Sequence, residues 1–208
     1  MDKKIKDLIA AWQKRNIHAV YCQDREEAAR KILEFVPQSL SVGFSGSMTL
    51  GELEIVERLK ERGNKVFDPY LAGISRDESL NLRKLGSQAD VYLASANALS
   101  QTGELVFFSG YGNRIAGIAY APKVIVTCGI NKITPNLDAA LKRAREHATP
   151  LNCKRLNWAG ACLKDSVCRK EVCLFPEYKR MCCQILIIEA EVTPDRLKVI
   201  LVGESLGY

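Results

Sequence analysis

Four cysteines, Cys162, Cys168, Cys173 and Cys182, follow one another as C-x5-C-x4-C-x8-C in a stretch with little helical or strand periodicity. Such a segment cannot easily order itself by burial, whereas four thiolates on one metal centre would close its loops. Zinc and a 4Fe–4S cluster both suit four thiolates, and either leaves a local charge near about −2. The surroundings favour that charge. Between Lys142 and Arg180 ten basic residues stand against four acidic ones, while the rest of the chain is balanced at twenty of each. Neighbouring Lys and Arg also keep thiols deprotonated. Cys183 is an alternative to Cys182, since adjacent residues present different faces, and Cys153 is a spare. The plain alternative is a set of reduced, partly buried thiols.

A second constellation lies at turns. Gly43-Phe44-Ser45-Gly46-Ser47-Met48-Thr49 runs from a strand into a helix, where free backbone N–H groups face an anion. It lacks both the dinucleotide spacing G-x-G-x-x-G and the Gly-Lys-Ser/Thr of a P-loop, and a small-residue turn with Ser47 or Thr49 as helix cap reads it equally well. Asn97, Thr102, Glu104, Asn113 and Arg114 cluster around the ends of predicted strands, and Asn131-Lys132 follow another. Singly, each is more often a turn residue or a surface charge. Together they would give one crevice amides, two cations and a carboxylate. The expectation is a pocket in which Gly46, Ser47, Thr49, Asn97, Thr102, Asn113, Arg114, Asn131 and Lys132 bind an anionic small molecule and Glu104 transfers protons. His18 and His147 read as a strand residue and a solvated helix end, and Cys22 and Cys128 as buried small hydrophobes.

These groups need a scaffold. Apolar spacing predicts helices over 3–15, 24–35, 49–62, 76–85 and 135–147, and strands over 17–22, 40–44, 65–68, 90–94, 123–127, 184–189 and 197–202. Residues 104–108 and 114–119 flank Ser109-Gly110-Tyr111-Gly112-Asn113 as a hairpin would. Strands alternating with helices imply an α/β three-layer sandwich with a largely parallel sheet, in a single domain carrying the cysteine-rich basic segment at 149–183. At 208 residues, 47% hydrophobic and 26% charged, the chain has an ordinary globular composition, which excludes disordered and fibrous classes. It shows no membrane span and no signal-peptide core, so the expected location is the cytoplasm, where eight cysteines do not form a disulfide framework.

In order along the chain, GFSGSMTLGEL (43–53), ASANALSQTGEL (94–105), SGYGNRIAGI (109–118), VIVTCGINKI (124–133) and the cysteine stretch after Pro150 resemble the LUD (lactate utilisation) domain family over about residues 1–190. The resemblance implies a fold like the NagB/RpiA/CoA-transferase group, whose members bind anionic small molecules at strand ends, and a link to lactate oxidation in company with iron-sulfur proteins. Two departures stand out. Ser109 occupies the place of the family's Asp, leaving Glu104 as the nearest carboxylate, and Cys173 falls two residues late against the family's C-x5-C-x2-C, while Arg180-Met181-Cys182 matches its Arg-x-Cys.

Three functions compete: an anion-binding protein of organic-acid metabolism, an iron-sulfur electron-transfer accessory docking with a redox protein, and a nucleic-acid binder. The last is disfavoured, because the basic segment has no interleaved aromatics and no C-x2-C ribbon spacing.

Overall fold

The structure is a computed structural model describing residues 1–208. Helix α1 (Lys3–Lys14) buries Leu8 and Trp12, one turn apart on its apolar face, and leads into β1 (His18–Cys22). Asp24 caps α2 (Arg25–Phe35) by accepting from the Glu27 amide at 2.8 Å, while the Glu27 carboxylate accepts from the Gln23 amide at 2.6 Å. Then come β2 (Val42–Phe44), α3 (Met48–Glu52), α4 (Ile55–Glu61), β3 (Val66–Phe67), α5 (Arg76–Gly86) and β4 (Val91–Ala94). The second half holds β5 (Ala98–Ser100), β6 (Leu105–Ser109), α6 (Asn113–Tyr120), β7 (Lys123–Gly129), β8 (Ile133–Thr134), α7 (Leu137–Arg143), α8 (Thr149–Arg155), β9 (Gln184–Ile188) and β10 (Leu197–Val202).

Six strands form one parallel sheet in the order β1-β10-β7-β4-β2-β3. Both faces are covered, so its central strands are largely apolar. Tyr92, Val124, Val126, Val199 and Leu201 face one core with Leu8 and Trp12, whereas Val91, Leu93, Ile125, Ile200 and Val202 face the other with Ile32, Leu50 and Leu59. The period-two alternation thus divides each strand between two cores, giving the expected layering around a parallel sheet. Gly43 permits the packing of β2 on α5: a Cβ there would stand 1.8 Å from the Gly86 carbonyl oxygen. No helix is long and apolar enough to cross a membrane.

Three expectations are corrected. The segment 114–119 is not the second arm of a hairpin but helix α6, started by Gly112 at φ 84°; Ile115 and Ile118 are three apart, and so short a run fits either period. Strand β6 instead pairs antiparallel with β5 and β9, in a second sheet ordered β8-β5-β6-β9. The helix over 49–62 is two helices, broken at Glu54 in the left-handed region at φ 50°. The helix begun at Asn136 does not stop at His147: it passes through a wide turn at 144–148 into α8, with Pro150 just beyond that turn.

Candidate functional site

Where β2, β4 and β6 end, the chain opens a cavity of about 680 Å³. Carboxyl ends of parallel strands are where open α/β sheets hold ligands. Ser45, Gly46 and Ser47 line it from the turn after β2, Asn97 from beyond β4, Ser109 from the end of β6, Tyr111 from the loop that follows, and Asn113 and Arg114 from the first turn of α6. Arg114 ties these turns together. Its Nε donates to Ser45 Oγ at 3.0 Å, one terminal nitrogen to Gly46 O at 2.7 Å, and the other to Asn97 Oδ1 at 3.2 Å and Phe108 O at 3.3 Å. Asn97 Oδ1 also accepts from the Phe108 amide at 2.9 Å, fixing the amide's orientation. Of the five guanidinium N–H donors, one has no protein partner. Burial holds the Arg114 pKa below the usual arginine value.

Behind that wall is a buried polar cluster. Lys132 Nζ, with the residue only 3% exposed, donates to Ser95 Oγ at 2.8 Å, Thr49 Oγ1 at 2.9 Å and Ala96 O at 3.2 Å. Burial pushes its pKa down to about 8, with Arg143 and Arg114 adding like-charge repulsion. Arg143 in turn donates to Asn97 O at 2.6 Å and Asn131 O at 3.1 Å. Three cations therefore stand around one strand-end region with only neutral partners. The two carboxylates on the cavity lining do not offset them fully: Asp68 is already paired with Lys60 at 2.5 Å, leaving Glu57.

The expected site residues fall into three groups. Gly46, Ser47, Asn97, Asn113 and Arg114 share the cavity. Ser47 spends its hydroxyl as the cap of α3, accepting from the Leu50 amide, and the Gly46 amide donates to the Tyr70 hydroxyl at 2.6 Å. Thr49, Lys132 and Asn131 lie behind it rather than on its lining; Asn131 anchors the C-terminal tail through Leu206 N and Gly207 O. Thr102 and Glu104 are elsewhere. Glu104 pairs with Arg15, the C-terminal cap of α1, at 3.0 Å and accepts from Thr102 Oγ1 at 2.5 Å, a turn further pinned by Trp12 Nε1 donating to Gly103 O at 3.0 Å. Burial works against its ionisation, but bonds from Thr102 and Ser100 hold its carboxyl below the usual range. Ser109 does line the cavity, so the carboxylate expected there by the family pattern has no substitute in Glu104. Tyr70, Arg83, Arg155 and Trp158 also line the cavity without any signal in their sequence neighbourhoods, since they reach it from three separate parts of the chain, Arg155 and Trp158 together from the end of α8.

The cysteine segment folds back against α8. Cys153, Cys162, Cys168, Cys173 and Cys182 line one small enclosed void with Arg145, Arg169 and Lys170, and all eight cysteines are free. Cys153 takes part alongside the four expected residues, while Cys183 is exposed and turned to Arg180 O. The Ala161 amide donates to Cys173 Sγ at 3.4 Å, and Arg180 Nε to Cys182 Sγ at 3.5 Å. Burial raises the thiol pKa values of Cys153, Cys162 and Cys168. As the side chains stand, no three Cys, His, Asp or Glu residues are grouped so as to hold a metal ion. Thr149 and Met181 line both this void and the large cavity, which puts the two back to back.

A family model described as the LUD domain matches residues 5–202. Among solved structures, a DUF162 family protein from Deinococcus radiodurans aligns with a TM-score of 0.56 at 10% identity, covering 97% of each chain, which shows a shared fold. Ribose 5-phosphate isomerase A from Neisseria gonorrhoeae aligns with a TM-score of 0.35 at 18% identity over 54% of each chain. No curated protein matches the sequence.

Proposed function

The chain belongs to the LUD (lactate utilisation) domain family, and on that premise we propose that it binds an anionic small molecule in the cavity beyond β2 and β4. One observation carries the reading: buried Lys132 and half-buried Arg114 and Arg143 stand close together with only hydroxyl, amide and carbonyl partners. Keeping charge there without a carboxylate is costly, and a bound anion would offset that cost. Arg114 grips the ligand with its remaining N–H, while Ser45, Asn97 and Asn113 orient it. Glu104 keeps to its ion pair with Arg15 and takes no part at the cavity. The test is calorimetric titration of lactate, pyruvate and ribose 5-phosphate into the wild type and Arg114→Ala. Binding weakened roughly 10- to 150-fold by the substitution supports the reading, the range for losing a hydrogen bond to a charged group. Absence of binding by any anion sinks it.

The convergence of five thiols on one void supports a second reading, in which the segment carries an iron-sulfur cluster. Four sulfurs around one zinc ion stand about 3.8 Å apart, an arrangement the side chains do not make. A cluster bonds its thiolates to different irons and so accepts wider spacing. The basic residues Arg145, Arg169, Lys170 and Arg180 and the Ala161 N–H bond to sulfur suit such a group. Iron and sulfide analysis of anaerobically purified protein decides it. Stoichiometric iron and sulfide that Cys168→Ser removes and Cys22→Ser retains is the expected result; iron-free protein with freely reacting thiols rejects it.

A further inference from the structure

The cavity is much larger than a three-carbon acid needs. Six heavy atoms displace at most about six waters, roughly 180 Å³, against a cavity of about 680 Å³. Its size is that of sites holding drug- or cofactor-sized molecules. The lining is also uneven along its length. Arg114, Asn97 and Asn113 make one polar part of it, and Tyr111 and Trp158 meet edge to face with ring centroids 5.7 Å apart at 90°, forming an aromatic corner. The Arg83 guanidinium lies 5.1 Å from the Tyr70 ring and 5.9 Å from the Tyr111 ring, extending that surface. Tyr111 is 60% exposed, so this apolar area faces the opening and not a core. Perpendicular rings with an adjoining planar cation accept a flat heteroaromatic group by stacking and edge contact.

We infer that the ligand of this site is an anion joined to a planar heteroaromatic ring, its charge at Arg114 and its ring against Tyr111 and Trp158. The inference rests on the anion-binding reading above and deepens it. Its chemistry is shared by nucleotides, by the adenine-bearing coenzyme A and by pterin carboxylates, and the three are separate arms of one experiment. Adenosine 5′-monophosphate, coenzyme A and folate are titrated calorimetrically into the full chain beside two ringless anions, ribose 5-phosphate and lactate. The same titrations are run on Tyr111→Ala/Trp158→Ala, with circular dichroism melting as the folding control; Tyr111→Ala alone, at an exposed position, serves if the double variant does not fold. The expected result is that at least one ring-bearing anion binds tenfold or more tighter than both ringless ones. The aromatic substitutions should erase that advantage while leaving ribose 5-phosphate affinity within about twofold. If ribose 5-phosphate or lactate binds as tightly as every ring-bearing anion, or the aromatic variants retain the preference, the ring assignment falls and anion binding stands. If no anion binds at all, both fall together.

Discussion

Lys132 provides the most quantitative check on the electrostatics of the strand-end region. Its pKa is pushed from 10.5 to about 8, with burial as the main cause. A lysine with a lowered folded pKa binds its proton less readily in the native state, so between pH 8 and 10.5 the unfolded chain holds more protons and stability rises with pH. Below pH 8 both states are protonated and the penalty is complete; at 1.36 kcal/mol per pH unit it amounts to about 3 kcal/mol. Because the residue is only 3% exposed, no discount for solvent screening applies. Lys132→Met removes the titrating group, and every other group ionising in this range is common to both proteins. Urea denaturation at pH 7.5 and pH 10 should therefore show wild type gaining about 2 to 3 kcal/mol relative to the variant on going to the higher pH. In melting temperature this is a relative shift of roughly 4 to 12 °C for a chain of this size. A wild-type-to-variant gap that is the same at both pH values would refute the assignment and show that Lys132 is neither desolvated nor crowded by cations. The absolute gap at one pH does not enter, since the variant also loses hydrogen bonds to Ser95, Thr49 and Ala96 O.

Other substitutions test the remaining structure. Arg114→Ala should cost stability as well as affinity, about 1 to 3 kcal/mol by denaturation, because the guanidinium stitches Ser45, Gly46, Asn97 and Phe108 together. Glu104→Gln should destabilise without changing ligand affinity. The carboxylate's pKa is lowered on folding, so its contribution is complete above about pH 4.3 and is lost as pH falls through the folded value; acid unfolding of the variant should lack that component. Gly43→Ala drives a Cβ into the Gly86 backbone, which neither β2 nor α5 can evade, and should cost well over 1 kcal/mol, with soluble yield and melting temperature as the readout.

Much of the fold is legible in the residues alone. The apolar runs of β4, β7 and β10, buried on both faces, have no other stable home than a covered parallel sheet, and Asp24 with Glu27 marks the start of α2 by its own local bonds. The motif loops at 45–47 and 109–114 are legible as turns at the ends of their own strands, but β6 belongs to the second, antiparallel sheet, so their meeting at one cavity is set by how the two sheets pack. What only the tertiary structure decided is which polar residues of those loops face the cavity. Glu104 and Arg114 are ten positions apart and similar in promise, yet the antiparallel pairing of β6 with β5 turns the Ser100–Glu104 end toward Arg15 at the end of α1 while the Ser109 end delivers Arg114 to the cavity. Short apolar runs such as 114–119 fit two periods, and the packing of Gly117 on the Tyr92 ring selected the helix. Tyr70, Arg83 and the Arg155–Trp158 turn converge from three separate segments. Local spacing carries no trace of such a meeting, because chain closure and core packing set it.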